Sequence, residues 1–98
     1  MIIKEILQQL ENSTHPVAKA LHKGDHFKVL AIGFRSGMVL KDHQAILPSK
    51  LTVLRGSVLY NEGEKEITLQ EYDTTDISAK TTHNVSALQD SICLLTQG

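Results

Sequence analysis

Gly37-Met38-Val39-Leu40-Lys41-Asp42-His43, followed by the apolar run Leu51-Thr52-Val53-Leu54-Arg55 and closed by Gly56, is the stretch whose reading decides the fold. It has an echo: Ile77-Ser78-Ala79-Lys80-Thr81-Thr82-His83-Asn84-Val85, then Asp90-Ser91-Ile92-Cys93-Leu94-Leu95. The two histidines stand 40 residues apart, and each half brings one of them into a strand-rich segment.

Working outward, the period of two recurs on both sides. Val17 to His22 reads as a short strand and Lys23-Gly24-Asp25 as a turn. His26 to Arg35 is a strand with apolar residues on both faces, since Phe27, Val29 and Ala31 alternate with Lys28, Leu30 and Ile32, so burial on both sides is expected. Ser36-Gly37 is the next turn. Leu51 and Val53 alternate with Thr52 and Leu54, and Val58 and Tyr60 with Ser57 and Leu59. Glu62-Gly63 is a hairpin signal, with Ile67 and Leu69 resuming the period beyond it. Val85 and Ala87 share a face with His83, and Ile92 to Leu95 is a last buried strand. Short strands separated by frequent turns imply an antiparallel sandwich or barrel. The need to close or cover so many edges favours a jelly-roll barrel.

The first dozen residues follow another rhythm. Ile3, Ile6, Leu7 and Leu10 fall on one helical stripe, with Lys4, Glu5, Gln8, Gln9 and Glu11 opposite. Asn12-Ser13 stops the helix, and His15-Pro16 forces extended chain. Residues 1–15 are therefore read as an amphipathic helix and connector packed on the domain edge, and residues 16–98 as the barrel. A dimerisation arm is the functional alternative for the helix.

Composition narrows the partners. Ninety-eight residues suit one domain. Ten Lys and Arg against eleven Asp and Glu leave a net charge of −1 with no basic run, which argues against nucleic acid. Trp is absent and aromatics are few, so stacking platforms for bases are not expected either. The longest apolar run, Val29 to Phe34, is far short of a membrane span, and the start lacks a secretory apolar core. One cysteine cannot form an internal disulfide. The expectation is a reduced, cytoplasmic protein that engages neither membrane nor nucleic acid.

The spacing of Gly37, His43 and Gly56 resembles the first conserved motif of the cupin family, and Ile77 to His83 with Val85, Ala87 and Asp90-Ser91 resembles the second. The resemblance covers residues 26–96 and is that of a small single-domain cupin of the RmlC-like jelly-roll type. It implies an all-β fold, the double-stranded β-helix, here with a short N-terminal helix. It also implies a homodimer and a site in the barrel mouth.

The chain departs from the pattern where metal would bind. Metal-binding cupins usually supply three histidines and a glutamate, but Ala45 stands at the second histidine position and Ser49 at the glutamate position. The metal set is degenerate, with His43 and His83 as the remaining candidate ligands. Tyr72 and Lys80 stand where glycine is expected, and Ser78 and Thr82 where proline is expected. A glycine position often needs positive φ, so these turns have either changed type or carry strain.

Two histidines fall short of the three protein ligands of a catalytic zinc, and of the two histidines and carboxylate of a non-haem iron site. Asp42 and Asp76 lie nearby in sequence, but alternation turns Asp42 away from His43. His43 itself shares a nominal face with Val39 and Lys41, so it turns inward only if the strand bulges near Lys41. His22 and His26 are more distant candidates. Lys50 and Lys80 lie in or beside the motifs; either could line the mouth and favour an anion, the alternative being a solvated lysine, and Lys50 is the one taken as ligand-binding. Cys93 is expected to be buried and inert. No nucleophile elbow or phosphate loop is present.

Three readings follow. The preferred one is binding of a small ligand through His43, His83 and Lys50 in an apolar mouth, with no tightly bound metal. The second is a metal-dependent enzyme, a small dioxygenase or isomerase, using His43 and His83 with iron, zinc, manganese or nickel. The third is a structural or regulatory homodimer whose barrel is filled.

Overall fold

Alternation of buried and exposed side chains builds most of this chain. The computed structural model describes all 98 residues except the side chain of His43. One helix, α1 (Ile2–Leu10), precedes nine strands: β1 (Val17–Lys23), β2 (Lys28–Phe34), β3 (Val39–His43), β4 (Ser49–Arg55), β5 (Val58–Glu62), β6 (Lys65–Leu69), β7 (Thr74–Ile77), β8 (His83–Ala87) and β9 (Ser91–Gln97). They form two antiparallel sheets, one ordered β1-β2-β9-β4-β7 and the other β3-β8-β5-β6. This is the jelly roll expected from the strand rhythm.

The core lies between the sheets. Ile32 and Phe34 of β2, Leu51 and Val53 of β4, Cys93 and Leu95 of β9, and Ile77 of β7 face Val58 and Tyr60 of β5 and Val85 and Ala87 of β8, all of them buried. Tyr60 is the largest side chain fully enclosed there. Each such aliphatic residue contributes about 1.5–3 kcal/mol by leaving water.

Strand β2 is apolar on both faces for a visible reason. Its outer face is covered by α1, whose Ile6 and Leu10 are buried against β1 and β2. Gly33 makes that approach possible: a Cβ there would sit 2.4 Å from Ile6 Cγ2 and 2.8 Å from Leu10 Cδ1. A second glycine, Gly56, closes β4 with φ +87°, and a Cβ there would meet the Asp90 carbonyl oxygen at 2.3 Å.

Strand β7 is absent from the sequence reading. Its buried residues are Thr75 and Ile77, so a single strongly apolar side chain carries its alternation. The two residues standing where the cupin pattern expects glycine do carry strain: Tyr72 has φ 72° and Lys80 φ 64°. Among the described residues, no helix is long and apolar enough to cross a membrane.

Candidate functional site

The two motif histidines are brought together by strand pairing. Leu40 lies opposite Val85, and His43 opposite His83. Three steps along β3 thus match two along β8, which is a bulge between Leu40 and His43, beside Lys41. The side chain of His43 lies outside the described residues, so the pairing is a statement about backbone alone.

His83 is fixed by its strand. It alternates with Asn84 and shares the inner face with Val85 and Ala87, which leaves it 3% exposed. Its Nδ1 lies 3.0 Å from the Thr81 carbonyl oxygen. A carbonyl only accepts, so Nδ1 is the donor in that contact. The ring lies 5.8 Å, centroid to centroid, from that of Tyr60 on the neighbouring strand.

Tyr60 leads to a carboxylate that the sequence reading passed over. Its hydroxyl donates to Glu62 Oε1 at 2.8 Å. Burial, and then the hydrogen bond and charge of Glu62, push the phenol well above its usual range, so it is a neutral donor. Glu62 belongs to a turn signal in the sequence, yet it shares parity with Val58 and Tyr60, and that parity is the signal that finds it.

A cavity of about 550 Å³ lies at this end of the barrel, where β3, β5 and β8 meet the β5–β6 turn. His83 and Glu62 border it, with Asp42, Asn61, Thr81, Thr82 and Asn84. Asn84 ties the strands together: its Nδ2 donates to Asp42 Oδ1 at 2.8 Å, and its Oδ1 accepts from Asn61 Nδ2 at 3.0 Å. The lining is polar, unlike the apolar mouth expected, because the chain ends each of these strands in amides, carboxylates and hydroxyls.

Lys50 does not join this group. It alternates with buried Ser49 and Leu51, points to the outer face, and pairs there with Asp76 at 2.6 Å. It borders a separate groove with Phe27, Pro48 and Thr96. His22 is exposed and packs its ring 5.4 Å from Phe27 at the β1–β2 turn; His15 and His26 are also exposed. Cys93 is fully buried, and burial pushes its thiol up to about 12.

Ala45 is buried and offers no donor, and the Ser49 hydroxyl donates to the Leu47 carbonyl. Among the described residues, no three His, Cys, Asp or Glu side chains converge in a way that could hold an ion. The described donors therefore do not fit a complete cupin metal set.

No protein-family model matches the sequence, and no curated protein does. Solved structures do match. A cupin superfamily protein of Desulfitobacterium hafniense superposes with a TM-score of 0.80 at 16% identity, over 85% of this chain and 76% of that one. An RmlC-like cupin of Desulfovibrio desulfuricans gives 0.77 at 24% identity, over 84% and 80%. A cupin-2 domain protein of Shewanella frigidimarina gives 0.76 at 11% identity, over 99% and 92%. Two facing antiparallel sheets, paired motif histidines and these superpositions agree, and the fold of this chain is that of the small RmlC-like cupins.

Proposed function

We propose that this chain binds a small, polar, hydrogen-bonding molecule at the rim of its barrel. The observation that carries the reading is the cavity of about 550 Å³ bordered by His83, Glu62 and the Asp42–Asn84–Asn61 chain. Its size falls within the roughly 300–1,000 Å³ of ligand sites. Its chemistry is acceptor-rich, with two carboxylates and no lysine or arginine in the lining. A polyol or a small amine suits it better than an anion. His83 and Glu62 would orient the ligand, and Tyr60 holds Glu62 in place.

The test is an amide-resolved NMR titration with a panel of sugars, polyols and diamines. A binder should move the amides of Asn61, Glu62, His83 and Asn84, and lose affinity in Asn84→Ala and Glu62→Gln. A panel that leaves those amides unmoved would remove the reading.

One observation favours a second reading, the metal-dependent enzyme: positions 43 and 83 are direct partners in the β3–β8 ladder. Metal analysis of untagged protein decides it. Near-stoichiometric iron, zinc, manganese or nickel that is lost in His43→Ala would put the enzyme in place of the binding module.

A homodimer accompanies either reading. Ile46 is 83% exposed and Leu47 45%, in the loop between β3 and β4, and burying them is a gain that a second copy could supply. Light scattering at micromolar concentration should give twice the chain mass of 10.8 kDa, and a monomer would exclude the dimer.

A further inference from the structure

We propose a second ligand site at the other end of the barrel, in the cleft between α1 and the outer face of the five-stranded sheet, taking a small amphipathic carboxylate. The cleft has a volume of about 410 Å³. It lies at the Ala87 end of β8, away from His83, because the Leu88 amide donates to the Ser57 carbonyl and Gly56 abuts Asp90 and Ser91.

Strand register places its walls. Gly33 is the partner of Ile92 on β9, and Ile92 is the partner of Arg55 on β4. Directly opposed residues share a face of a sheet. Moving across that face, α1 sits over Gly33, Ile92 forms the floor, and Arg55 stands on the far side. Leu7 and Leu10 complete an apolar lining, with Leu7 40% exposed along the helix flank.

The charges are not equally engaged. Arg35 donates to the Ser13 carbonyl, and Asp90 accepts from the Ser36 amide. Glu11 stands at the helix end. Among the described residues, the Arg55 guanidinium makes neither a hydrogen bond nor an ion pair. A guanidinium presents paired donors matched to a carboxylate. An apolar floor beside it selects a ligand with a hydrocarbon tail, seated between Leu7 and Ile92 with its carboxylate on Arg55. Glu11 and the negative pole of the helix lie on the opposite wall, which orients the carboxylate toward β4.

The experiment titrates octanoate, octylammonium and acetate into the full chain, with amide NMR as the readout. Octanoate should move the amides of Leu7, Arg55 and Ile92 and leave Asn61, His83 and Asn84 in place. Arg55→Gln should weaken it about tenfold, the scale of one charge-assisted hydrogen bond. Arg55→Lys should recover part of the affinity, and Asn84→Ala should have no effect. Movement confined to the His83 end, octylammonium binding as well as octanoate, or undiminished affinity in Arg55→Gln would each overturn the site. Because the two cavities have separate reporters, failure here leaves the rim site standing, and the reverse holds.

Discussion

The phenol of Tyr60 and the carboxylate of Glu62, two residues apart on one face of β5, are joined by a hydrogen bond of 2.8 Å from the barrel core to its rim. The bond gives a fully buried tyrosine its partner and holds a candidate ligand-binding carboxylate at the cavity. Tyr60→Phe keeps the ring and removes the donor. The expected loss is about 1–2 kcal/mol, toward the upper range for a hydrogen bond because the acceptor is charged. Urea unfolding checks it: a midpoint equal to that of the unaltered chain would mean the bond adds nothing to stability.

Tyr72 and Lys80 adopt backbone angles that glycine adopts freely, at φ 72° and 64°. A side chain in that region costs about 1–2 kcal/mol, offset in part by the extra entropy glycine has when unfolded. Tyr72 is 77% exposed, so removing its ring gives up little packing. Tyr72→Gly and Lys80→Gly should therefore each stabilise the chain, by about 0.5–1 kcal/mol. Thermal unfolding should show higher midpoints. A fall in either would mean that the side chain contributes more than its backbone strain costs.

These two turns also mark how far the sequence carried. That the turns at Tyr72 and Lys80 either change type or carry strain is legible, since the motif pattern wants glycine at both positions, and φ decides for strain. The inner face of β8 was legible because His83, Val85 and Ala87 keep strict alternation. The bulge before His43 was legible as a conflict of parity. Strand β7 was hidden because threonine and aspartate fill most of it. Nearness to a motif is a weak guide for Lys50, whose alternation with Leu51 points it outward. The polar cavity was out of reach for another reason. Asp42, Asn61 and Asn84 come from three strands, and only the order β3-β8-β5 makes them neighbours.

Lys50 yields a prediction of its own. Its ion pair with Asp76 joins side chains that are 60% and 79% exposed. Exposed pairs of this kind contribute about 0–1 kcal/mol. Lys50→Gln should leave the unfolding midpoint nearly unchanged and should not alter binding at the His83 cavity. Loss of that binding would show that Lys50 reaches the site after all.

Close packing at Gly33 and Gly56 predicts two different failures. Ala at position 33 meets Ile6 Cγ2, fixed on the β-branch of a buried helical side chain, and Leu10 Cδ1, so relief requires α1 itself to move. Gly33→Ala should cost about 1–3 kcal/mol, with α1 lifting from β2 and its amides exchanging faster with solvent. Ala at position 56 meets backbone at Asp90 and Ser91 and also requires φ +87°. Nothing there yields easily, so Gly56→Ala should be the more damaging, with the loss spread through β4 and β9. The reverse order of midpoints would contradict the packing described.

Cys93 and Tyr60 together set the response to alkali. Burial raises the Cys93 thiol from its ordinary 9.0 to about 12, and Tyr60 is raised from 10.0. Above pH 9 the unfolded thiol ionises while the folded one stays neutral, so the unfolded state binds fewer protons. The stabilisation is therefore whole below pH 9 and is lost as pH rises toward about 12. Each group makes stability fall by at most about 1.4 kcal/mol per pH unit once its unfolded form ionises. The decline should begin near pH 9 and steepen near 10, where the unfolded tyrosine starts to ionise. Cys93→Ala lowers stability at every pH by opening a small void, but it should abolish the first part of the slope. Urea midpoints for both proteins between pH 8 and 11 separate these effects. Parallel curves would mean that Cys93 is not the group responsible.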